Sequence, residues 1–127
     1  YATGIGKALL SGKTKAELQA LYPNGLTALT PQTITDIDRL CFQLDDIKRS
    51  GVAFESEEST PHIQCIAVPI RQNGTVRAAM SVAVPTFRMN PQKEANILYM
   101  LREAQQKIEQ IFSADTGSNF SLGAMGG

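Results

Sequence analysis

Residues 64–84 read QCIAVPIRQNGTVRAAMSVAV, and the fold turns on the middle of this stretch. Two runs rich in Ile and Val, Gln64–Ile70 and Val76–Val84, flank Asn73-Gly74. β-Branched residues suit a pleated, half-buried surface, and Asn-Gly supplies the positive φ angles of a tight turn. The stretch therefore predicts an antiparallel hairpin. Pro69 sits inside the first run; lacking an N–H, it implies an edge position, a bulge or a strand end.

Counting from the turn leaves two registers open. A two-residue loop at Asn73-Gly74 sets Ser81 opposite Ile66. A three-residue loop, with Gly74 as a left-handed bulge, sets Ser81 opposite Cys65. Only the second puts Cys65 and Ser81 on one face. Along the second strand Arg77, Ala79, Ser81 and Ala83 alternate with Val76, Ala78, Met80, Val82 and Val84. The valine-rich set is expected to be core. The other set is small and mildly polar toward its end, which leaves room for a small polar ligand or for a closely packed helix.

Helices surround the hairpin. Gly4 and Gly6 punctuate a helix start that Lys7-Ala8-Leu9-Leu10 carries on, and Gly12 stops it. Thr14 and Glu17 fit a capping box for a short helix over Lys15–Leu21 that hides Leu18 and Leu21. Pro23-Asn24-Gly25 breaks the chain. Thr35 can cap the next helix, with Asp36 and Asp38 favoured near its positive end. There Ile37, Leu40, Cys41, Leu44 and Ile47 form one apolar stripe. Lys48 and Arg49 suit its C-terminal end, and Gly51 ends it before a short strand over Val52–Glu55. Asn90-Pro91 starts a long helix whose inner face carries Leu98, Leu101, Gln105, Ile108 and Phe112. Residues 1–113 read as one domain, and the Gly- and Ser-rich residues 114–127 as a disordered tail. Antiparallel strands backed by helices mean α+β.

Composition narrows the function. The 127 residues are 43% hydrophobic and 19% charged, and 12 Lys plus Arg balance 12 Asp plus Glu. A neutral chain lacks the clustered cations that phosphate neutralisation demands, so this segment is not expected to hold nucleic acid on a basic surface. Cys41, Cys65 and the lone His62 make no zinc pattern. The two thiols are expected to be reduced in a cytoplasmic protein. No apolar run reaches membrane-spanning length, and no signal peptide is expected. No metal site or cofactor is expected.

Chemistry could gather at four places. In Thr3-Gly4-Ile5-Gly6-Lys7, glycines let the backbone approach a ligand, and free N–H groups at a helix start favour an anion. The plainer alternative is a helix start packed on the sheet. A phosphate-binding loop fails, because the Gly and Ser/Thr positions it requires hold Tyr1 and Ala8. A dinucleotide fingerprint fails at Leu9. Glu55, Glu57 and Glu58 form an acidic cluster; one reading makes one of them a buried acceptor for ligand hydroxyls, the other leaves Glu57 and Glu58 in a solvated loop. Paired carboxylates also suit acid–base work, but no nucleophile or metal accompanies them. His62 is expected at the surface. Cys65 has no neighbouring base and reads as a pocket-wall thiol.

Five blocks in register resemble the effector-binding domain of IclR-type transcriptional regulators: Tyr1–Leu10, Leu29–Thr35, Ser50–Glu58, Cys65–Ile70 and Ala79–Pro85. The resemblance implies a GAF or profilin-like fold with a central antiparallel sheet of about six strands, whose first helix and strands would lie upstream of Tyr1. It implies effector contacts at Gly4, Ile5, Gly6, Glu55, Ile63, Cys65, Ser81 and Ala83. Three departures stand out. Ala83 replaces a common second Ser, Glu55 stands where Asp is common, and Ser59-Thr60-Pro61-His62-Ile63 replaces a glycine-containing loop.

The expected function is sensing of a small organic or sugar acid, with no catalysis. A homo-oligomer, dimer or tetramer, would pass occupancy to a separate N-terminal winged helix-turn-helix domain that binds DNA, away from any membrane. The alternatives are an enzyme acting on small acids through Glu55 or Cys65, and a dimerisation module without ligand.

Overall fold

The computed structural model describes residues 1–114. Seven helices and strands, with one 3-10 turn, run in the order α1 (Gly4–Leu10), α2 (Lys15–Leu21), α3 (Ile37–Ser50), β1 (Ala53–Ser56), β2 (Ile63–Gln72), β3 (Thr75–Pro85), the turn Thr86–Arg88, and α4 (Pro91–Ala114). The three strands form one antiparallel sheet in the order β1-β2-β3. Helix α4 runs to Ala114; the rest of the expected tail, residues 115–127, lies outside the described residues.

Local chemistry sets the helix ends. The Thr14–Glu17 capping box forms as expected, each side chain taking an amide that the helix leaves without a partner. Helix α3 is capped by Asp36, not Thr35: the Asp36 carboxylate accepts from the Asp38 amide at 2.9 Å. Gly51 ends α3 in the left-handed region. Asn90 caps α4, its Oδ1 accepting from Lys93 N at 2.8 Å. Leu18 is buried, but Leu21 is 53% exposed. The chain leaves α2 at Tyr22, whose ring instead packs edge-on against Tyr1, with centroids 5.0 Å apart.

The sheet is covered on both faces. Ala8, Leu18, Leu40, Leu44 and Ile47 pack with Ala53, Ala67 and Ala79 on one face. Ile66, Val68 and Val84 pack with Ile97 and Leu101 of α4 on the other. Alanines on the first face admit α1 at close range, which is the helix-accommodating role left open for Ala79. Both faces of β3 are thus partly core.

Neither anticipated register occurs. Gln72 pairs with Thr75 across a two-residue loop, with φ of 53° at Asn73 and 79° at Gly74. The ladder then shifts between Ile70 and Arg71: Arg71 pairs with Val76 and Ile70 with Ala78. Arg77 has no partner across the ladder, and this β-bulge moves every later pair by one. Ser81 therefore lies opposite Ala67, and Cys65 opposite Ala83. Cys65 and Ser81 share a face, as expected, but through the bulge and not through a longer loop. Val76, opposite Arg71, falls on the opposite face to Ala78.

Pro69 lies in the central strand yet avoids the ladder's penalty. The pairing of β1 with β2 ends at Ala67, and the Pro69 carbonyl accepts from Gln105 Nε2 of α4 at 2.7 Å. The N–H and C=O of a strand residue point to the same side. The missing donor therefore faces the side that β1 has already left.

Candidate functional site

Thr3 caps helix α1, its hydroxyl accepting from Gly6 N at 2.9 Å. That amide is thus capped by the chain itself. Gly4 lies flat on β2: a Cβ at this position would stand 3.0 Å from Cys65 Cβ and 3.6 Å from Ala67 Cβ. Ile5 packs, half-buried, against the core of this face.

One turn further on, Lys7 is fully buried. Its Nζ donates to both carboxylate oxygens of Glu58 at 2.7 Å and to Gln43 Oε1 of α3 at 2.5 Å. A buried ammonium persists only when paired and hydrogen-bonded. Glu58 is therefore no solvated loop residue: it is 7% exposed. The hydroxyls of Thr30 and Thr33 donate to the Glu57 and Glu58 carbonyls and hold the loop after β1 in place. Glu57 and His62 adopt positive φ. His62 is at the surface with Nδ1 3.6 Å from Glu57.

Glu55 is the most unusual group. It is 3% exposed. Its Oε2 accepts from Glu58 N at 3.0 Å, while Oε1 is buried without a hydrogen-bond partner. Burial pushes its carboxyl above the usual carboxylate range, and the Glu58 charge adds to this; the Glu58 amide, Lys7 and the Cys65 thiol act in the opposite sense. Across the ladder, the Cys65 thiol is also raised, first by burial and then by the Glu55 charge. A raised thiol pKa means an inert thiol at neutral pH. Cys41 and Cys65 are both free.

Glu55 and Cys65 line a hollow of about 470 Å³ at the end of β1. Gln32 and Ile34 come from the segment before α3, Arg39 and Gln43 from α3 itself, and Glu58 from the loop. Phe54, Ile66, Met89 and Glu94 close the side toward α4. The size suits a small organic molecule. The structure thus brings Glu55 and Cys65 together in one hollow. Gly4 packs on Cys65 but is not itself among the lining residues. Ser81 and Ala83 are exposed on the same sheet face but are not among the lining residues, and neither are Ile5, Gly6 or Ile63. Lys7, Glu58, Gln43 and Arg39 were not singled out as a group in the sequence. The signal for Lys7 was a lone cation followed by the apolar Ala8-Leu9-Leu10 in a seven-residue helix.

Among the described residues no cluster of three His, Cys, Asp or Glu could hold a metal ion. Among them also, no helix is long and apolar enough to cross a membrane.

Comparison with known proteins gives one consistent result. The family model described as bacterial transcriptional regulator IclR, C-terminal, matches residues 1–110. The chain is 34% identical over 110 residues to the HTH-type transcriptional regulator KdgR of Escherichia coli K12, covering 85% of this chain and 42% of that protein. It is 34% identical over 110 residues to the HTH-type transcriptional regulator BhcR of Paracoccus denitrificans, covering 85% and 39%. The chain thus spans about two-fifths of the curated relatives it matches. Among solved structures, the C-terminal domain of E. coli KdgR superposes with a TM-score of 0.79 at 31% identity, covering 88% of this chain and 70% of that one. A double mutant of the inducer-binding domain of PobR from Acinetobacter, in complex with 3-hydroxybenzoic acid, superposes with a TM-score of 0.77 at 32% identity, covering 85% and 63%. The α+β, GAF/profilin-like architecture expected from the sequence is the fold of these domains.

Proposed function

This chain belongs to the IclR family of bacterial transcriptional regulators, matching its C-terminal domain, and from that premise we propose that it senses a small organic acid for a DNA-binding regulator. The acid occupies the hollow against Glu55 and Cys65. Sugar acids and aromatic hydroxy acids are the classes to try first; the second is favoured by the PobR complex with 3-hydroxybenzoic acid. Gly4, Ile5, Gly6, Ile63, Ser81 and Ala83 are proposed to complete the site from α1 and the same sheet face. The observation that carries the reading is Glu55: a buried carboxyl with an unpartnered oxygen, in the wall of a ligand-sized hollow. Buried polar atoms without partners are rare, and a ligand is one physical reason to keep one.

In this reading DNA is bound by a separate winged helix-turn-helix domain, and the balanced charge of the present chain is in keeping with that division. The regulator acts in the cytoplasm as a homo-oligomer, dimer or tetramer. Occupancy alters operator affinity only if the acid favours one arrangement of the oligomer over another.

The test is a thermal-shift and calorimetric screen of hydroxy and keto acids against their amides. Acids are expected to give the larger shifts, with saturable binding and no product. Equal shifts for acids and amides would remove the acid-sensing role. Ser81→Val deletes a hydroxyl at similar size; weaker binding in this variant places Ser81 in the site, and unchanged binding takes it out.

A further inference from the structure

We propose that Glu55 meets the effector as a neutral carboxyl, donating a hydrogen bond from Oε1 to the ligand's ionised acid group. This rests on the reading of the hollow as the effector site and goes beyond it by naming the protonation state that the site requires. The geometry divides the two oxygens. Oε2 already accepts from Glu58 N at 3.0 Å, as the carbonyl oxygen of a neutral acid would. Oε1 is buried and has no partner. As a hydroxyl it would be a donor in want of an acceptor, and a ligand carboxylate supplies one.

The charges around the hollow point the same way. Lys7 of α1 is taken up by Glu58, and Arg39 of α3 stands at the rim. Against these two cations stand Glu58 in the loop, Glu94 of α4 and Glu55 of β1, with the Cys65 thiol of β2 beside Glu55. With Glu55 ionised, three carboxylates face two cations, and an acid would enter against excess negative charge. With Glu55 neutral the charges balance, and the acid meets donors. Burial of Glu55 favours the same neutral form. Where Glu55 is ionised before binding, the acid enters together with one proton from solvent, which remains on Oε1.

Isothermal titration calorimetry on the intact protein tests this with 3-hydroxybenzoate, gluconate and lactate between roughly pH 5.5 and 8.5, where such acids, with pKa near 4, stay ionised. Affinity is expected to fall as pH rises, approaching about tenfold per pH unit above the Glu55 titration. Heats measured in buffers of different ionisation enthalpy are expected to show uptake of up to one proton per acid bound. Glu55→Gln presents an NH2 donor in place of the hydroxyl, with no proton to titrate, so binding in this variant is expected to lose the pH dependence. Cys65→Ser is expected to keep the slope; a slope abolished by that change would move the proton to the thiol and overturn the assignment. Affinity flat with pH in the wild type, with binding lost in Glu55→Gln, would make Glu55 an ionised acceptor: the inference fails and the effector site stands. If no acid binds at any pH, the effector reading itself fails. Should Glu55→Gln not fold, proton uptake by the wild type decides alone.

Discussion

Lys7 and Glu58, 51 residues apart, form an ion pair 2.7 Å long with the ammonium wholly shielded from water. It ties α1 to the loop that follows β1, and Gln43 brings in α3. Removing one member leaves a buried charge without its counterion, at a cost of about 3–5 kcal/mol. Lys7→Met is therefore expected to lose stability on this scale in urea unfolding, and Lys7→Met combined with Glu58→Met to regain much of it. A single variant that lost less than about 1 kcal/mol would show that the pair is open to solvent.

Gly4 is placed by contact rather than by φ. Its would-be Cβ stands 3.0 Å from Cys65 Cβ, so Gly4→Ala must push α1 away from β2. A loss of about 1–3 kcal/mol is expected. Cys65→Ala should not restore it, because the crowded atom is Cβ and alanine keeps it. Rescue by Cys65→Ala in a thermal melt would assign the clash to the sulfur instead.

The raised pKa of Glu55 makes stability depend on pH in a definite direction. In the unfolded chain the carboxyl titrates near its free value of about 4.3. In the folded protein burial lifts it above that. Between the two values the folded state holds a proton that the unfolded state has released. The contribution of Glu55 is thus greatest at low pH, declines as pH rises through this window, and is constant above the folded value. Glu55→Gln has no such window. The stability difference, wild type minus Glu55→Gln, should fall as pH rises from about 4.3 and then level off; a difference that rises with pH would mean that Glu55 is stabilised as an anion.

Gly74, with φ of 79°, completes the two-residue turn after Asn73. A side chain there opposes the left-handed backbone, and no neighbouring atom lies within 4 Å of an added Cβ to confuse the reading. Gly74→Ala is expected to cost about 1 kcal/mol. Because the turn pins the hairpin, amide exchange in Gln72 and Thr75 should quicken in that variant.

Much of the scaffold was legible because its signals are local. Asn73-Gly74, the Thr14–Glu17 box and Asn90-Pro91 each fix a turn or a helix start through residues a few positions apart, and each is found where it was expected. The α3 cap shifted from Thr35 to Asp36 because two adjacent residues can both perform that task. The site was harder to see. Glu58 read as solvated because nothing near it in sequence shows that Lys7 would be folded against it. Cys65 and Ser81 reached one face for a reason that counting from the turn does not supply. The α+β class followed from an antiparallel hairpin among helices, and the GAF/profilin-like form of it from five short blocks in register, none of which is specific alone.

Arg77 is surplus to the ladder, and its surplus has a consequence for chain length. Excise it, and Val76 can still meet Arg71 while Ala78 meets Ile70, because the pairs on either side already close over the gap. A one-residue deletion in a strand ordinarily turns every following side chain inside out. Here it would leave Ser81 and Ala83 where they are, and the hairpin would merely lose its local kink.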